Sequence, residues 1–496
     1  MKTRIISGAL LICATCGLTA CHDDLNVTQP SQLTSRSMWN EESDAETAVN
    51  GLYTLLRSTM ADGMVVWGEL RSNLYKSGNV NDAFFNRVGT NVIMMDDAGT
   101  NWNSLYQTVN AANLILRHVP DITFVKSTDR DEALANAYFV RALCYYYIAR
   151  TWGDAPLLTR GFESERQEDM YPTRTPVAQL FALIESDITE ALRLMPPGKK
   201  LHQASPAAIN MLKADYYLWK ASRLGGGRDS YATALAAAND VIGAGYELLP
   251  KWADIFRTDN ENNNEFILTF PFTVGENVTA GSSPNSYSYY LAPRNDATRL
   301  EANGFGPDYV PTGSHAQYVV VTDEYRDFLL SDPDDVRGVA SLRIYTEPFI
   351  TQSVLVDRII IKFKGSWESN TRVFDNDMPL YRLAEAYLLK AEAANGMDDI
   401  ATATAALNEV AKRARGIDEY YKNLDKRGVT EAIINESKME FVAEGKMWWL
   451  YLRTNTEFEL ISTLVGREGE KNVTLWPVAN VCITTNPRIE QTEGYK

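Results

Sequence analysis

Apolar residues recur every three to four positions between residues 42 and 57, at Ala45, Val49, Leu52, Leu55 and Leu56. In a helix with about 3.6 residues per turn, this spacing places the apolar side chains on one face. The pattern therefore predicts an amphipathic helix over 42–57. The preceding residues, 21–41, are mostly polar and rich in Ser, Thr and Asn, a composition typical of a tether.

One helical pattern occurs three times in the chain. Residues 135–142, 214–221 and 384–391 share the order Ala-x-x-Tyr-(Phe/Leu)-x-(Arg/Lys)-Ala, and an Ala-rich partner segment follows the second and third copies, at 236–241 and 405–410. Repeated helix–turn–helix units are typical of tetratricopeptide stacks, in which neighbouring units bury a shared core. We therefore predict an all-α fold, a tetratricopeptide-like helical superhelix. The shared tyrosines are expected at equivalent inward positions: Tyr138, Tyr217 and Tyr387.

A long segment interrupts this helical pattern. Glu265–Phe270 and Arg358–Phe363 are short apolar runs that predict strands. The stretch 275–317 between them is rich in Gly, Pro, Asn and Tyr, and loops of such length are usually functional or disordered. The expected organisation is an N-terminal helical region (42–250), a loop-rich insertion with a few short strands (251–375), a C-terminal helical region (376–455) and a C-terminal loop segment (456–496).

The N-terminus has the features of a secretory signal peptide, expected to cover residues 1–20. Lys2 and Arg4 precede an apolar stretch, 5–18, that is too short for a permanent transmembrane helix. Leu18–Cys21 resembles the lipobox of bacterial lipoproteins, which implies cleavage before Cys21 and lipidation of its thiol. In such lipoproteins, acidic residues directly after the cysteine accompany export to the cell surface. The alternative is an ordinary signal peptide followed by a chance cysteine.

The composition and charge of the chain argue against several classes of partner and binding site. The 496 residues include 64 acidic and 48 basic side chains, so the net charge is −16, which argues against a nucleic-acid partner. The four histidines are too far apart in sequence for a helical zinc motif, and Gly225–Gly227 lacks the Lys and Ser/Thr of a phosphate loop. We therefore expect neither a metal nor a cofactor. The few cysteines left after signal cleavage do not indicate a disulfide framework.

Three glutamates have a spacing that a catalytic centre could use. Glu436, Glu440 and Glu444 are spaced four residues apart and would share one helix face. Paired carboxylates about 5 Å apart could support retaining glycoside hydrolysis, with Glu440 and Glu444 as the pair. The favoured interpretation is structural pairing with nearby bases such as Lys438 or Lys446. Arg141, inside an apolar helix, is likewise expected to be a paired structural cation.

Short motifs are distributed along nearly the whole chain, at 44–53, 102–116, 141–157, 252–256, 335–337, 382–388, 436–445, 476–477 and 486–487. Taken together, these segments resemble the SusD/RagB family of surface nutrient-binding lipoproteins. Two departures occur: Ser437 follows Glu436 where the family usually has Arg, and the chain ends Gln-Thr-Glu-Gly-Tyr at 491–495 rather than Gln-Asn-Pro-Gly-Tyr.

The resemblance implies a non-catalytic binder that serves a SusC-like TonB-dependent transporter in the outer membrane, with an oligosaccharide or, as in the RagB branch, an oligopeptide as ligand. A surface hydrolase and a pure interaction scaffold are the alternatives. In the family, loops that meet on one face near the first helices hold the ligand. We therefore expect the binding residues in two segments, 67–85 and 286–309. The candidates are Trp67, Arg71, Asn73, Tyr75, Asn79, Phe84, Tyr287, Tyr289, Tyr290, Arg294 and Tyr309.

Overall fold

The computed structural model describes residues 38–78, 83–164, 170–273, 275, 291, 318–351, 354–368 and 371–495. The expected signal peptide, Cys21 and most of the tether lie outside the described residues. Before residue 250 the described helices are α1 (Glu42–Gly68), α2 (Ala83–Gly89), α3 (Asn103–His118), α4 (Ser127–Trp152), α5 (Val177–Leu194), α6 (Pro206–Arg223) and α7 (Gly227–Ile242).

The first helix is longer than the sequence pattern predicts. It begins where the backbone N–H of Glu41 donates a 3.0 Å hydrogen bond to Asp44 Oδ2, which satisfies a donor at the helix end. It continues to Gly68 because Met60, Ala61 and Met64 keep the apolar spacing and are buried in the core. The extension places Trp67 in the last turn of α1 rather than in a loop.

Strand β1 (Tyr75–Ser77) lies between α1 and α2, and the other described elements lie within and after the insertion. They are β2 (Phe266–Phe270), β3 (Val319–Val321), α8 (Asp323–Leu329), α9 (Val336–Ser341), β4 (Leu342–Thr351), β5 (Val354–Ile360), β6 (Ser366–Glu368), β7 (Thr371–Val373), β8 (Met378–Arg382), α10 (Leu383–Gly396), α11 (Ile400–Arg415), α12 (Lys426–Glu440), α13 (Met447–Thr454), α14 (Glu457–Leu460) and α15 (Asn480–Thr485). The described strands form four two-stranded antiparallel sheets, which pair β1 with β3, β2 with β8, β4 with β5 and β6 with β7.

The three repeat copies lie on α4, α6 and α10, and the predicted helix-rich fold class is confirmed. The first Ala of each copy is completely buried against neighbouring helices. The shared tyrosines occupy equivalent positions, but their rings are half-buried rather than fully inward. For Tyr217, the hydroxyl reaches a partly exposed carboxylate and donates a 2.9 Å hydrogen bond to Glu185 Oε1.

The helical stack continues across the insertion. Helix α6 packs on α7, α7 packs on α10, and α10 packs on α11, so the two helical regions join directly. The strands β2 and β8 pair at the base of the insertion, with Phe266 opposite Arg382. The segment between β2 and β8 therefore begins and ends at neighbouring positions on the helical stack. Two short helices, α8 and α9, lie in this segment and were not predicted; Thr322 and Asp335 cap them by accepting hydrogen bonds from Tyr325 N and Arg337 N.

In the part of the chain that the structure describes, no helix has both the length and the apolar character needed to cross a bilayer.

Candidate functional site

The first of the two segments expected to bind ligand contributes one strand to a small β-ribbon. Strand β1, from the first segment, pairs antiparallel with β3, which follows the second segment in the chain, with Tyr75 opposite Val321 and Ser77 opposite Val319. The backbone N–H of Gly78 donates a 2.7 Å hydrogen bond to the carbonyl of Tyr318 and extends the pairing by one residue. We call this pair of strands the β1–β3 ribbon. In the chain, β1 precedes the loop that begins after Gly78, and β3 follows the long loop that ends before Tyr318.

An aromatic cluster of Phe84, Phe85 and Tyr318 lies beside the ribbon. The ring centroids of Phe84 and Phe85 are 4.7 Å apart, and those of Phe85 and Tyr318 are 5.5 Å apart. Phe85 is buried, whereas Phe84 and Tyr318 are only partly covered. The cluster thus places two partly accessible rings beside the β1–β3 ribbon.

A charged clamp holds the ribbon to the insertion. Asp323, the first residue of α8, accepts hydrogen bonds from Lys76 of β1 at 3.0 Å and from Arg358 of β5 at 2.6 Å. These bonds from Lys76 and Arg358 lower the pKa of Asp323 to about 2. The carboxylate is therefore ionised at neutral pH and joins three separate elements of the site.

Three of the expected ligand-binding side chains lie in the protein core. Trp67 is 4% exposed and its indole N–H donates to the carbonyl of Gly99 at 2.9 Å. Tyr75 is 5% exposed and its hydroxyl accepts a 2.9 Å hydrogen bond from Ala443 N. Their burial leaves no open ring face for a ligand.

Arg71 is the third of these residues and is 0% exposed. Its guanidinium donates to the carbonyls of Val473 and Thr474 at 2.5 and 2.8 Å and lies over the Trp448 ring, 4.2 Å from its centroid. Arg71 therefore secures the C-terminal segment to the ribbon region, and its donors are directed into the protein.

Two expected residues remain at the surface of the described site. Asn73 has a left-handed backbone with φ of 63° and accepts a 3.3 Å hydrogen bond from the Ser462 hydroxyl. Phe84 belongs to the aromatic cluster. The other candidates lie outside the described residues: Asn79, Tyr287, Tyr289, Tyr290, Arg294 and Tyr309. The sequence prediction does not name Lys76, Tyr318 or Asp323 as binding residues. The local signal for Tyr318 and Asp323 is the apolar run at 319–321, which forms the strand between them.

The candidate hydrolytic glutamates belong to a buried ion network. Helix α12 ends at Glu440, so Glu444 lies beyond it, and the predicted common helix face does not extend to that residue. Arg382 donates to Glu440 Oε1 at 2.5 Å and to Glu444 Oε1 at 2.8 Å. Lys362 also pairs with Glu444. These partners come from distant segments rather than from Lys438 or Lys446, the bases expected from the sequence.

The electrostatics of Glu440 suit a structural ion pair. Burial by itself would raise its pKa, but Arg413, Arg382 and Arg337 outweigh that effect and hold the pKa well below the usual value. A general acid for glycoside hydrolysis needs a raised pKa and a cleft that admits the sugar. Glu440 and Glu444 instead lie ionised in the interior, where each is enclosed by cations.

Arg141 is also a paired structural cation, as expected. Its guanidinium is buried and donates two hydrogen bonds to Asp187 of α5, at 2.8 and 2.7 Å. The pair links α4 to α5, so the basic position of this repeat copy points into the stack and not towards solvent.

Comparison with known proteins identifies the family. Residues 25–216 match a family described as "Starch-binding associating with outer membrane", and residues 225–495 match the SusD family. SusD-like protein P38 of Formosa agariphila is 23% identical, with 100% of both chains covered. The starch-binding protein SusD of Bacteroides thetaiotaomicron is 26% identical over 73% of this chain and 72% of its own.

Solved structures show the same fold. B. fragilis NanU superposes with a TM-score of 0.81 at 24% identity, covering 95% of this chain and 100% of its own. A laminarin-binding SusD-like protein superposes with a TM-score of 0.75 at 21% identity, covering 92% of this chain and 100% of its own. The family match over residues 225–495 spans more than half of the sequence, and the chain therefore belongs to the SusD family.

Proposed function

We propose that this protein is a non-catalytic cell-surface lipoprotein that binds an oligosaccharide and delivers it to a SusC-like TonB-dependent transporter in the outer membrane. Membership of the SusD family supports the role. A relative named as starch-binding and a structural neighbour named as laminarin-binding support a glycan as the ligand class. Acyl chains on Cys21 would anchor the protein, because two chains already suffice for stable membrane attachment.

The observation that carries this proposal is the β1–β3 ribbon, in which a strand of the first candidate segment pairs with the strand that follows the second segment in the chain. Binding residues are commonly placed on loops held by a rigid scaffold, and here the scaffold is a continuous helical stack. Phe84 and Tyr318 offer partly covered rings, and Asn73, shortly before β1 in the chain, offers an amide. Aromatic rings stack on the apolar faces of sugars, and amides bind their hydroxyl groups.

Within this proposal, residues from both loops contact the oligosaccharide. Tyr287, Tyr289, Tyr290 and Tyr309 supply additional rings, and Asn79 and Arg294 supply polar contacts. The ligand is bound and released without covalent change. The ribbon and the Asp323 clamp hold together the described elements that border the two loops in the chain, β1, β3 and α8.

Calorimetric titration of the protein, extracted from membranes in mild detergent, tests the ligand class. The probes are malto-oligosaccharides, laminari-oligosaccharides and mixed peptides of similar length. We expect saturable binding of at least one oligosaccharide series and recovery of intact ligand. Saturable binding of peptides alone would replace the glycan with an oligopeptide ligand, and release of shortened sugars would contradict the non-catalytic role.

A further inference from the structure

A surface cleft lies beside the segment that follows helix α4. Its volume is about 330 Å³, within the range of roughly 300–1,000 Å³ typical of small-ligand sites. Its described lining comes from the segments 157–162 and 171–175, which form its two walls, and from Arg488 near the C-terminus. This lining shares no residue with the β1–β3 ribbon or the aromatic cluster, so the cleft is a separate candidate site.

Side chains of α3 and α4 hold the backbone of the first wall. Asn110 of α3 donates to the carbonyl of Phe162 at 3.0 Å and accepts from its backbone N–H at 2.7 Å. The hydroxyl of Tyr145 on α4 does the same for Leu158, donating to its carbonyl at 2.9 Å and accepting from its N–H at 2.6 Å. Because the helices fix this wall, it loses little freedom when a ligand binds.

The second wall is tied to the residues after α4 and to the C-terminal segment. Thr175 and Ala155 exchange two backbone hydrogen bonds, of 3.0 and 3.2 Å. Asn486 donates from its side chain to the carbonyl of Pro172 at 2.8 Å. This bond holds the C-terminal segment against the wall, two residues before Arg488.

Apolar side chains are present on both walls of the cleft. Tyr171 lines the second wall and is 55% exposed, so its ring can be reached from solvent. Leu157, Leu158 and Phe162 line the first wall and are half-buried. Such a surface can contact the C–H face of a sugar ring, and a tyrosine adds a polar hydroxyl at its edge.

Polar groups that can bind a ligand lie beside this apolar surface. Arg488, Thr159 and Thr173 are exposed, and within the part of the chain that the structure describes their side chains have no hydrogen-bond or ion-pair partner. Arg160 also lines the cleft, but its guanidinium lies over the Phe162 ring, 5.8 Å from the centroid. One guanidinium and two hydroxyls therefore remain to donate hydrogen bonds to a ligand, and the hydroxyls can also accept them.

The bonding of the walls argues against a peptide in this cleft. A peptide that binds by strand addition needs a partner with unpaired backbone groups. The backbone N–H and carbonyl of Leu158, Phe162 and Thr175 already have partners. A saccharide needs no such edge, because it binds through ring faces and hydroxyl groups.

We propose that this cleft is a second saccharide-binding site, in which a sugar ring stacks on Tyr171 and its hydroxyl groups bind Arg488 and the two threonines. This inference rests on the proposed function, because it takes a glycan as the ligand. It adds a site that is independent of the loops beside the β1–β3 ribbon.

Calorimetry with maltoheptaose and laminariheptaose, on protein extracted from membranes in mild detergent, tests the proposal. The starting protein is the variant Tyr287→Ala/Tyr289→Ala/Tyr290→Ala, which alters one of the two candidate loops and leaves the cleft intact. It should retain saturable binding of at least one heptasaccharide. Adding Tyr171→Ala/Arg488→Ala should weaken this binding at least about tenfold, with little change in melting temperature.

The possible outcomes separate this site from the proposed function. If the wild type binds a heptasaccharide but the loop variant does not, or if the cleft substitutions leave the binding unchanged, the cleft proposal is overturned and the glycan-binding function stands. If the wild type binds neither heptasaccharide, both proposals are contradicted.

Two control variants test whether the effect is specific to the cleft. Tyr420→Ala/Arg193→Ala removes an exposed ring and an exposed cation elsewhere and should leave the affinity unchanged. Tyr171→Phe keeps the ring and should retain most of the affinity that Tyr171→Ala loses. An equal loss in the Tyr420→Ala/Arg193→Ala control, or in Tyr171→Phe, would overturn the assignment of a sugar ring to Tyr171.

Discussion

Lys76 donates a 3.0 Å hydrogen bond to Asp323 and thereby connects the strand that precedes one candidate loop to the helix that follows the other. Arg358 binds the second oxygen of the same carboxylate. The Lys76–Asp323 pair is partly exposed to solvent, so it contributes modestly to stability, but it ties β1 to α8.

We therefore expect Asp323→Asn to lower oligosaccharide affinity by about two- to fivefold, corresponding to the usual strength of an exposed ion pair. The effect should shrink at high salt, because solvent-exposed charges are screened. Titrations at low and high ionic strength measure it. Asp327→Asn, which removes another exposed carboxylate of α8, is the matched control, and an equal effect there would argue against a specific clamp.

Glu69 should make the protein less stable as pH rises. Its carboxyl is buried, Oε1 accepts from Gly445 N at 2.9 Å, and Oε2 has no hydrogen-bond partner among the described residues. Burial raises its pKa to about 8, against the opposing hydrogen bonds from Lys446 and Gly445. The folded protein thus keeps a proton that the unfolded chain releases near pH 4.5. The resulting penalty is absent below that pH, grows as pH rises towards 8 and is complete above it.

Glu69→Gln removes this penalty and keeps an acceptor for Gly445 N. The difference in unfolding free energy between variant and wild type should be small near about pH 5 and exceed about 1 kcal/mol in favour of the variant near about pH 7.5. Urea denaturation at both values provides the measurement. A difference that does not change with pH would show that Glu69 is ionised in the folded protein.

Glu440 should be essential to the stability of the C-terminal half. Replacing one partner of a buried ion network leaves unpaired charge in the interior, which typically costs about 3–5 kcal/mol. We expect Glu440→Gln to lower the unfolding free energy by about 3 kcal/mol or to abolish cooperative unfolding. Glu431→Gln, on the exposed face of the same helix, should change it by less than about 0.5 kcal/mol. Equal effects for the two variants would contradict the structural role of the network.

Cys21→Ala tests the proposed anchor. The variant should fold normally and leave the membrane fraction, because the polar tether has little apolar surface with which to bind lipid. Fractionation of cells that express the wild type or the variant makes the comparison. A variant that remains with outer membranes would indicate that a protein partner retains it without lipid.

The helical stack is predictable from the sequence to a greater extent than the site. The repeated Ala and Tyr positions are local in sequence, so they can be recognised directly, and they lie on α4, α6 and α10. Burial of Arg71 depends on Trp448 and on carbonyls near residue 474, which are distant in the chain and leave no local signal. The partners of Glu440 are likewise remote, and for that reason local spacing points to the nearby lysines instead.

The loops joined by the β1–β3 ribbon are proposed to form the glycan site, and the most direct test is a calorimetric comparison of wild type with the triple variant Tyr287→Ala/Tyr289→Ala/Tyr290→Ala. Phe84→Ala is the companion variant from the first candidate segment, at the start of α2. Because each stacked ring removes apolar area from water, the triple variant should bind oligosaccharide at least about tenfold more weakly, a loss of about 1.4 kcal/mol, with little change in melting temperature. Unchanged affinity in both variants would place the site elsewhere and contradict the proposed role of these loops.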